Sequence, residues 1–259
     1  HPHIGSNKLP QVIEAIRNTI LLHGGEVHFQ CKVTALLKKG SVVEGVQTSD
    51  GVVYFGPVIL ATGHSARDMY RYLHAEGIAV ESKALAMGVR LEHKQHLIDQ
   101  MQYKQEEGRG LYLPAAEYSF VHQVEGRGVY SFCMCPGGFV IPAATEGGQQ
   151  VVNGMSASDR KGEFANSGMV VELHPEDLPS DKFGGPLGML EFQEALERRS
   201  FAYANQSIKA PAQRMLDFVN HVRSKDLCES SYLPGLVNAD LHSLFPAFIS
   251  KRLALAFEA

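Results

Sequence analysis

The feature that most constrains the fold is an apolar run at residues 58–61, Val-Ile-Leu-Ala, which ends on Thr62 and Gly63. A short run without polar alternation is typical of a strand buried on both faces of a sheet that helices cover. Small residues at the end of such a strand let a bound cofactor approach the backbone. The run therefore predicts an α/β sheet with a binding site at its end. The alternative is a buried strand that simply ends in a tight turn.

The segments before and after this run predict a regular order of elements. Apolar residues recur at helical spacing over residues 8–22, with Ser6 as the predicted N-cap. Alternating patterns predict short strands at 27–31, 41–47 and 52–55, and Asp50-Gly51 predicts a hairpin turn. The same rules predict helices at 66–76, 94–101 and 187–203, a shorter helix that ends at about residue 223, and a helical tail after Asp240. They also predict a strand at 84–91, and mostly sheet and loop at 103–173.

Charge and composition narrow the classes of function. The net charge of −4 argues against a nucleic-acid-binding surface. No apolar run approaches the roughly 18 residues of a membrane helix, and the start lacks a signal-peptide pattern, so we expect a cytoplasmic protein. The four cysteines are too scattered for a disulfide framework, and the histidines lack metal-binding spacing. We therefore predict no metal site and no membrane or nucleic-acid partner.

Five segments, in their order along the chain, resemble an uncharacterised bacterial family of FAD-dependent dehydrogenases. The sequence Cys-Met-Cys-Pro-Gly-Gly in the third of them is specific to this resemblance. The five segments are 63–68, 88–93, 130–138, 153–156 and 210–214. The resemblance implies an α/β fold with an inserted α+β domain. Its parts are a partial FAD/NAD(P)-binding domain of the glutathione-reductase type at 1–83, an inserted substrate domain at 84–230, and a helical return segment at 231–259.

The resemblance also implies the cofactor and the reaction. FAD is the expected cofactor, and hydride passes through flavin N5 to or from a small-molecule substrate, with participation of NAD(P)H left open. The family's G-x-G-x-x-G loop, which binds pyrophosphate, does not occur in residues 1–259. The chain starts without Met and ends in an apolar-periodic stretch, so we expect it to be a section of a longer protein. We expect FAD binding by that protein and doubt it for this chain alone.

The candidate cofactor-binding residues follow the predicted buried strand. They are Thr62, Gly63, His64 and Arg67, and the alternative for the last two is a structural role at the start of a helix. The candidates for chemistry are Cys133 and Cys135, together with His64. The two cysteines are interpreted as a redox pair, as thiols that line a pocket, or as small buried apolar residues.

The candidate substrate-binding residues are Arg160, Asn153, Gly137 and Gly138. Arg160 is chosen because a guanidinium binds a carboxylate or phosphate with two hydrogen bonds, and the two glycines because they form a backbone nest. A solvated loop is the alternative for these polar residues. Two other functions remain open: a non-catalytic binding module without cofactor, and a thiol redox protein that uses Cys133 and Cys135. The sequence does not indicate the oligomeric state.

Overall fold

A computed structural model describes residues 3–259, which separate into two compact units. We call residues 9–69 the meander unit, and residues 3–8 with 70–259 the sheet unit. His1 and Pro2, the start of the resemblance, lie outside the described residues. The predicted division at residues 83 and 230 into cofactor, substrate and return segments stays a prediction.

The meander unit contains one helix followed by three antiparallel strands in the order β1-β2-β3. These elements are α1 (Leu9–Leu22), β1 (Val33–Lys39), β2 (Val42–Thr48) and β3 (Val53–Phe55). The predicted Asp50-Gly51 turn is confirmed, and Thr48 Oγ1 donates a hydrogen bond to Asp50 Oδ1 over 2.5 Å. Because the Asp50 carboxylate also accepts from the Val52 N–H, its pKa is held below the ordinary value. The helix at 8–22 and the second and third strands are confirmed.

Two strands predicted in this unit are wrong. Residues 27–31 form no strand, and the first strand lies instead at β1, where the backbone pairs with β2 through a shifted register. Residues 58–61 form no strand either, and Ile59 is 91% exposed. A buried strand needs neighbours on both sides for its N–H and C=O groups, and no described strand pairs with this segment. The helix begins at Leu9, so Lys8 and not the predicted Ser6 holds the N-cap position, and the Ser6 N–H donates to the Ser156 carbonyl over 2.9 Å.

The sheet unit is built on a five-stranded antiparallel sheet. Its order is β4-β8-β6-β5, and β7 pairs with β6. The strands are β4 (Leu85–Lys94), β5 (Val121–Val124), β6 (Arg127–Pro142), β7 (Val152–Ser156) and β8 (Phe164–Leu173). The fold is therefore mixed, with antiparallel sheets, as predicted for residues 84–91 and 103–173.

Helices and a short parallel pair of strands complete the sheet unit. The predicted helices at 66–76, 94–101 and 187–203 are confirmed as α2, α3 and α5. The Asp240 cap is confirmed as well, since its carboxylate accepts from the His242 N–H over 3.0 Å. The elements are α2 (Arg67–Ala75), α3 (Gln95–Tyr103), α4 (Ser180–Phe183), α5 (Gly188–Tyr203), β9 (Ala210–Ala212), α6 (Met215–Val219), β10 (Leu236–Asn238), α7 (Leu241–Leu244) and α8 (Ala247–Glu258). No helix among residues 3–259 has the length and apolar character to cross a membrane.

The main core lies between one face of the sheet and the helices α5 and α8. Val129, Val171 and Leu173 of the sheet are fully buried there with Leu253 of α8. Successive side chains of a strand point to opposite faces. On β4, Met87, Val89 and Leu91 pack against this core, so Arg90 lies on the other face. That second face carries polar residues.

Replacing Leu253 with Ala should lower the free energy of unfolding by about 2–5 kcal/mol, because buried methyl groups are lost and a cavity remains. Chemical denaturation followed by circular dichroism measures the change. Leu255→Ala on the same helix is the matched control, since Leu253 is 0% exposed and Leu255 is 39% exposed. The control should change stability by less than about 1 kcal/mol. Equal losses would contradict the packing of α8 against the sheet.

Candidate functional site

Arg90 is the centre of a polar cluster on the face of the sheet opposite the core. Its Nη1 donates to Asn166 Oδ1 over 2.5 Å and to the Cys133 carbonyl over 3.4 Å. Its Nη2 donates to Asn153 Oδ1 over 3.1 Å. Arg90 pairs with Gly168 across β4 and β8, and Glu92 pairs with Asn166. The antiparallel register therefore brings residues from β4, β6, β7 and β8 to one guanidinium.

Two glycines lie against this cluster, and Gly154 leaves the space that the guanidinium occupies. A Cβ atom on Gly154 would lie closer than 3.0 Å to Asn166 Oδ1 and to Arg90 Nη1, a separation that real Cβ atoms essentially never show. A Cβ atom on Gly168 would lie 3.1 Å from the Phe132 carbonyl and 3.9 Å from Arg90 Nη2. Asn166 itself is fully buried, and its Nδ2 has no hydrogen-bond partner among the described residues. The side chains around Arg90 are thus held in one arrangement.

The cysteines lie beside this cluster, on an irregular part of β6. The pairing of β6 with β8 shifts register on both sides of Cys135, and Cys133 has a left-handed backbone with φ of 51°. Cys133 is exposed and Cys135 is buried, and the Cys135 thiol donates to the Cys133 carbonyl over 3.4 Å. Burial, followed by the nearby Cys133 thiol, raises the pKa of Cys135. Cys135 is therefore a poor nucleophile at neutral pH, and Cys133 is the accessible thiol.

Tyr118 and His93 form a neighbouring pair. Their Oη and Nε2 atoms share a hydrogen bond of 2.9 Å. Burial raises the pKa of Tyr118 to about 12, although hydrogen bonding to Ser167 and the positive charge of Arg90 act in the opposite direction. Burial also lowers the pKa of His93. At neutral pH the pair therefore consists of a protonated phenol and an uncharged imidazole.

Arg90 and Glu92, two residues apart on β4, do not form a salt bridge with each other. The Glu92 carboxylate accepts from the N–H of Ser231 at 3.2 Å and also from its hydroxyl. The Ser231 hydroxyl in turn accepts from the Val140 N–H over 2.8 Å. Glu92 thus fixes the loop before β10 against β6, and Arg90 is left with neutral acceptors.

The remaining candidate substrate residues lie within β6 and in the loop between β7 and β8. Arg160 has a φ of 51° and its Nη1 is ion-paired with Glu117. The Gly137 N–H donates to Gln95 Oε1 over 2.7 Å, and its carbonyl accepts from the Gly162 N–H over 3.1 Å. Gly138 pairs with both Ser156 and Phe164 in the sheet. Substrate binding by Arg160, Gly137 and Gly138 stays a prediction.

The candidate cofactor residues lie in the meander unit. Thr62, Gly63 and His64 are exposed, whereas Arg67 is buried. Gly63 has a φ of 76°, and no atom lies within 4 Å of the position that a Cβ atom would take. This open, left-handed glycine suits the close approach of a ligand to the backbone. The residues therefore fit an FAD-binding role, which stays a prediction.

Comparison with known proteins identifies the family. Residues 84–259 match the family described as FAD-dependent protein, C-terminal domain-like. The chain belongs to this FAD-dependent family. An uncharacterized protein of Clostridium beijerinckii is 38% identical to it over 255 residues, which are 97% of this chain and 47% of that relative. The chain thus spans about half the length of this relative, and the predicted FAD-dependent family is confirmed.

Sequence reasoning named Asn153 and Cys133 as candidates but missed Arg90, Asn166 and Tyr118. The partners Asn153 and Asn166 lie 63 and 76 residues away in sequence, and Tyr118 is 25 residues from His93. A local signal existed nonetheless: Gly154 follows Asn153 directly, and Gly168 comes shortly after Asn166. A glycine inside a strand marks a place where another group approaches the backbone.

Replacing Gly154 with Ala should lower the free energy of unfolding by about 1–3 kcal/mol, because the new methyl group overlaps Arg90 and Asn166. Thermal or chemical denaturation measures the loss. Gly147→Ala is the matched control, since no atom lies within 4 Å of its Cβ position. If both variants are as stable as the unchanged protein, Arg90 does not occupy the space above Gly154.

Iodoacetamide should alkylate Cys133 at least about tenfold faster than Cys135 near neutral pH, because only Cys133 is exposed and burial raises the pKa of Cys135. Peptide mass spectrometry over a time course measures both rates. Cys228, also exposed, serves as the internal reference. Equal rates for the two thiols would support the thiol redox alternative, which needs both sulfurs to be reactive.

Proposed function

We propose that this chain is the section of a FAD-dependent oxidoreductase that positions the substrate for hydride transfer through flavin N5. The observation that carries the proposal is the match of residues 84–259 to a FAD-dependent family. The Arg90 cluster within the matched residues supports it, since a few polar groups fixed on a rigid sheet are what a substrate site requires. The substrate is a small molecule, and NAD(P)H is a candidate electron donor.

The meander unit is proposed as part of a glutathione-reductase-type FAD-binding domain. A helix and a three-stranded β-meander precede Thr62 and Gly63, the order that this type of domain has. Thr62, Gly63, His64 and Arg67 would hold the cofactor, and residues 84–230 would form the substrate domain. When bound, FAD supplies the acceptor or donor of the hydride.

The residues of the sheet unit contribute orientation and proton control. Arg90 stays charged, and its neutral partners leave that charge available to a ligand. Tyr118 keeps its proton up to about pH 12 because it is buried, so at neutral pH it is a hydrogen-bond donor and not a base. Cys133 places an exposed thiol at the edge of the same cluster. Together they can orient a substrate and hold a proton at Tyr118 Oη.

The proposal is tested by absorbance spectra of two purified proteins with added FAD. One is this chain, and the other is the Clostridium beijerinckii relative, of which the match covers 47%. We expect flavin bands near roughly 370 and 450 nm in the longer protein, and little retained flavin in this chain. Bleaching of the longer-wavelength band by NADH or NADPH would identify the electron donor.

A colourless longer protein would contradict the proposal, and the binding module without cofactor would then be the better function. Flavin held tightly by residues 1–259 would contradict the expectation that the pyrophosphate-binding loop lies elsewhere. The His64→Ala variant of this chain, titrated with FAD, tests the cofactor site, and the exposed His122→Ala variant is its control. The affinity for FAD should fall in the first variant and stay unchanged in the second.

A further inference from the structure

Among the described residues, Arg90 lacks the carboxylate partner that three other partly buried arginines of the sheet unit have: Arg109 pairs with Asp99, Arg127 with Asp177, and Arg160 with Glu117. Arg252 also lacks one, and its Nη1 donates to the Phe248 carbonyl of its own helix. Arg90 is held by two amide oxygens and one backbone carbonyl, all of them neutral. Within residues 3–259, no carboxylate oxygen lies within 4.0 Å of its nitrogens. The fold thus sets up a cation without a counter-ion.

The guanidinium also keeps hydrogen-bonding capacity. It has five N–H bonds, and its three hydrogen bonds to protein oxygens use three of them. The Nε–H and one Nη2–H remain, and these two nitrogens share an edge of the planar group. The buried Cys135 thiol, a weak acceptor, also lies within hydrogen-bonding reach of the guanidinium. Nε makes no hydrogen bond to a described residue and it is not buried, so solvent reaches it. A ligand can therefore reach a two-donor edge.

The arrangement is rigid before any ligand binds. Asn166 is fully buried, a Cβ atom on Gly154 would overlap the guanidinium, and Asn153 Oδ1 also accepts from the Gly154 N–H over 2.8 Å. Leaving a partly desolvated charge without an opposite charge is unfavourable. A pre-ordered cation of this kind gains from binding an anion and needs little rearrangement to do so.

We propose that the free edge of Arg90 binds the carboxylate of a small organic acid, with Asn153 and the Cys133 thiol beside it. A planar carboxylate matches two parallel N–H donors. A phosphate accepts two hydrogen bonds from a guanidinium in the same way, so a titration with inorganic phosphate is needed to distinguish the two anions. The assignment of this acid as the substrate rests on the proposed oxidoreductase function, whereas the binding itself does not.

The experiment uses the chain without flavin and measures its thermal midpoint against increasing acetate, succinate or benzoate at constant ionic strength. Chloride and inorganic phosphate are run in parallel. A bound ligand raises the midpoint according to its dissociation constant. We expect stabilisation by at least one carboxylate, and none by chloride at the same concentration.

The decisive variant is Asn153→Asp. It keeps an oxygen acceptor for Arg90 and for the Gly154 N–H, and it adds the missing counter-ion 3.1 Å from Nη2. We expect the Kd for the carboxylate to rise at least about tenfold. Arg90→Lys, which keeps the charge and loses the planar edge, should have a similar effect. Asn205→Asp adds the same charge at another exposed position and should leave the Kd unchanged.

The outcomes separate this proposal from the proposed function. The same Kd in the unchanged protein and in Asn153→Asp, or no stabilisation by any carboxylate, would overturn the site whether or not the longer protein is yellow. Equal stabilisation by chloride, or stronger stabilisation by phosphate, would overturn the assignment to a carboxylate. If both variants lose affinity for the carboxylate and the longer protein binds no flavin, the site is supported and the oxidoreductase function is rejected.

Discussion

The pairing of β8 between β4 and β6 is the constraint on which the sheet unit depends. β4 and β8 pair continuously from Leu85 with Leu173 to Lys94 with Phe164, without a register shift. Because side chains alternate, this register sends Val171 to the core and Gly168 to the face that carries Arg90. A slip by one residue would exchange the two faces, burying the arginine and exposing the apolar residues. The hydrophobic core therefore fixes the geometry of the polar cluster.

The irregularity of β6 has a defined place in this arrangement. Cys133 adopts a left-handed backbone, which costs a residue with a side chain about 1 kcal/mol or more. The register shift turns the Cys133 carbonyl to Arg90 Nη1 and leaves its thiol exposed. Bulges are common next to functional sites because they redirect a side chain. Here the bulge turns a backbone carbonyl to Arg90 and leaves an accessible thiol on the same residue.

Local sequence patterns predicted the presence of helices and turns better than they predicted which segments are buried. The helix at α1, the Asp50 turn and the Asp240 cap follow from chemistry within a few residues, and all three are present. The run at 58–61 was predicted as buried, since its composition is that of a covered strand, yet Ile59 is exposed. The composition of a segment shows that it could be buried, but burial also requires neighbouring strands or helices that cover it. The family resemblance came from motifs spread along the chain, which no single element could have provided.

The site was less predictable than the fold. Arg160 was the favoured anion-binding residue, but Glu117 pairs with it, and Arg90 was not among the candidates. Which arginine has a counter-ion depends on contacts between residues more than 40 positions apart, and these follow only from the register of the sheet. The glycines at 154 and 168 were the visible trace of the arrangement.

The close fit between Arg90, Asn166 and Gly154 also limits how this region can change over evolutionary time. A larger residue at 154 needs a shorter one at 90, and a shorter residue at 90 leaves Asn166 with an unpaired buried oxygen. Each single step passes through a less stable protein, so the three positions are expected to be inherited together. Substitutions can accumulate one at a time on the exposed loops, whereas at these three positions they need to occur together.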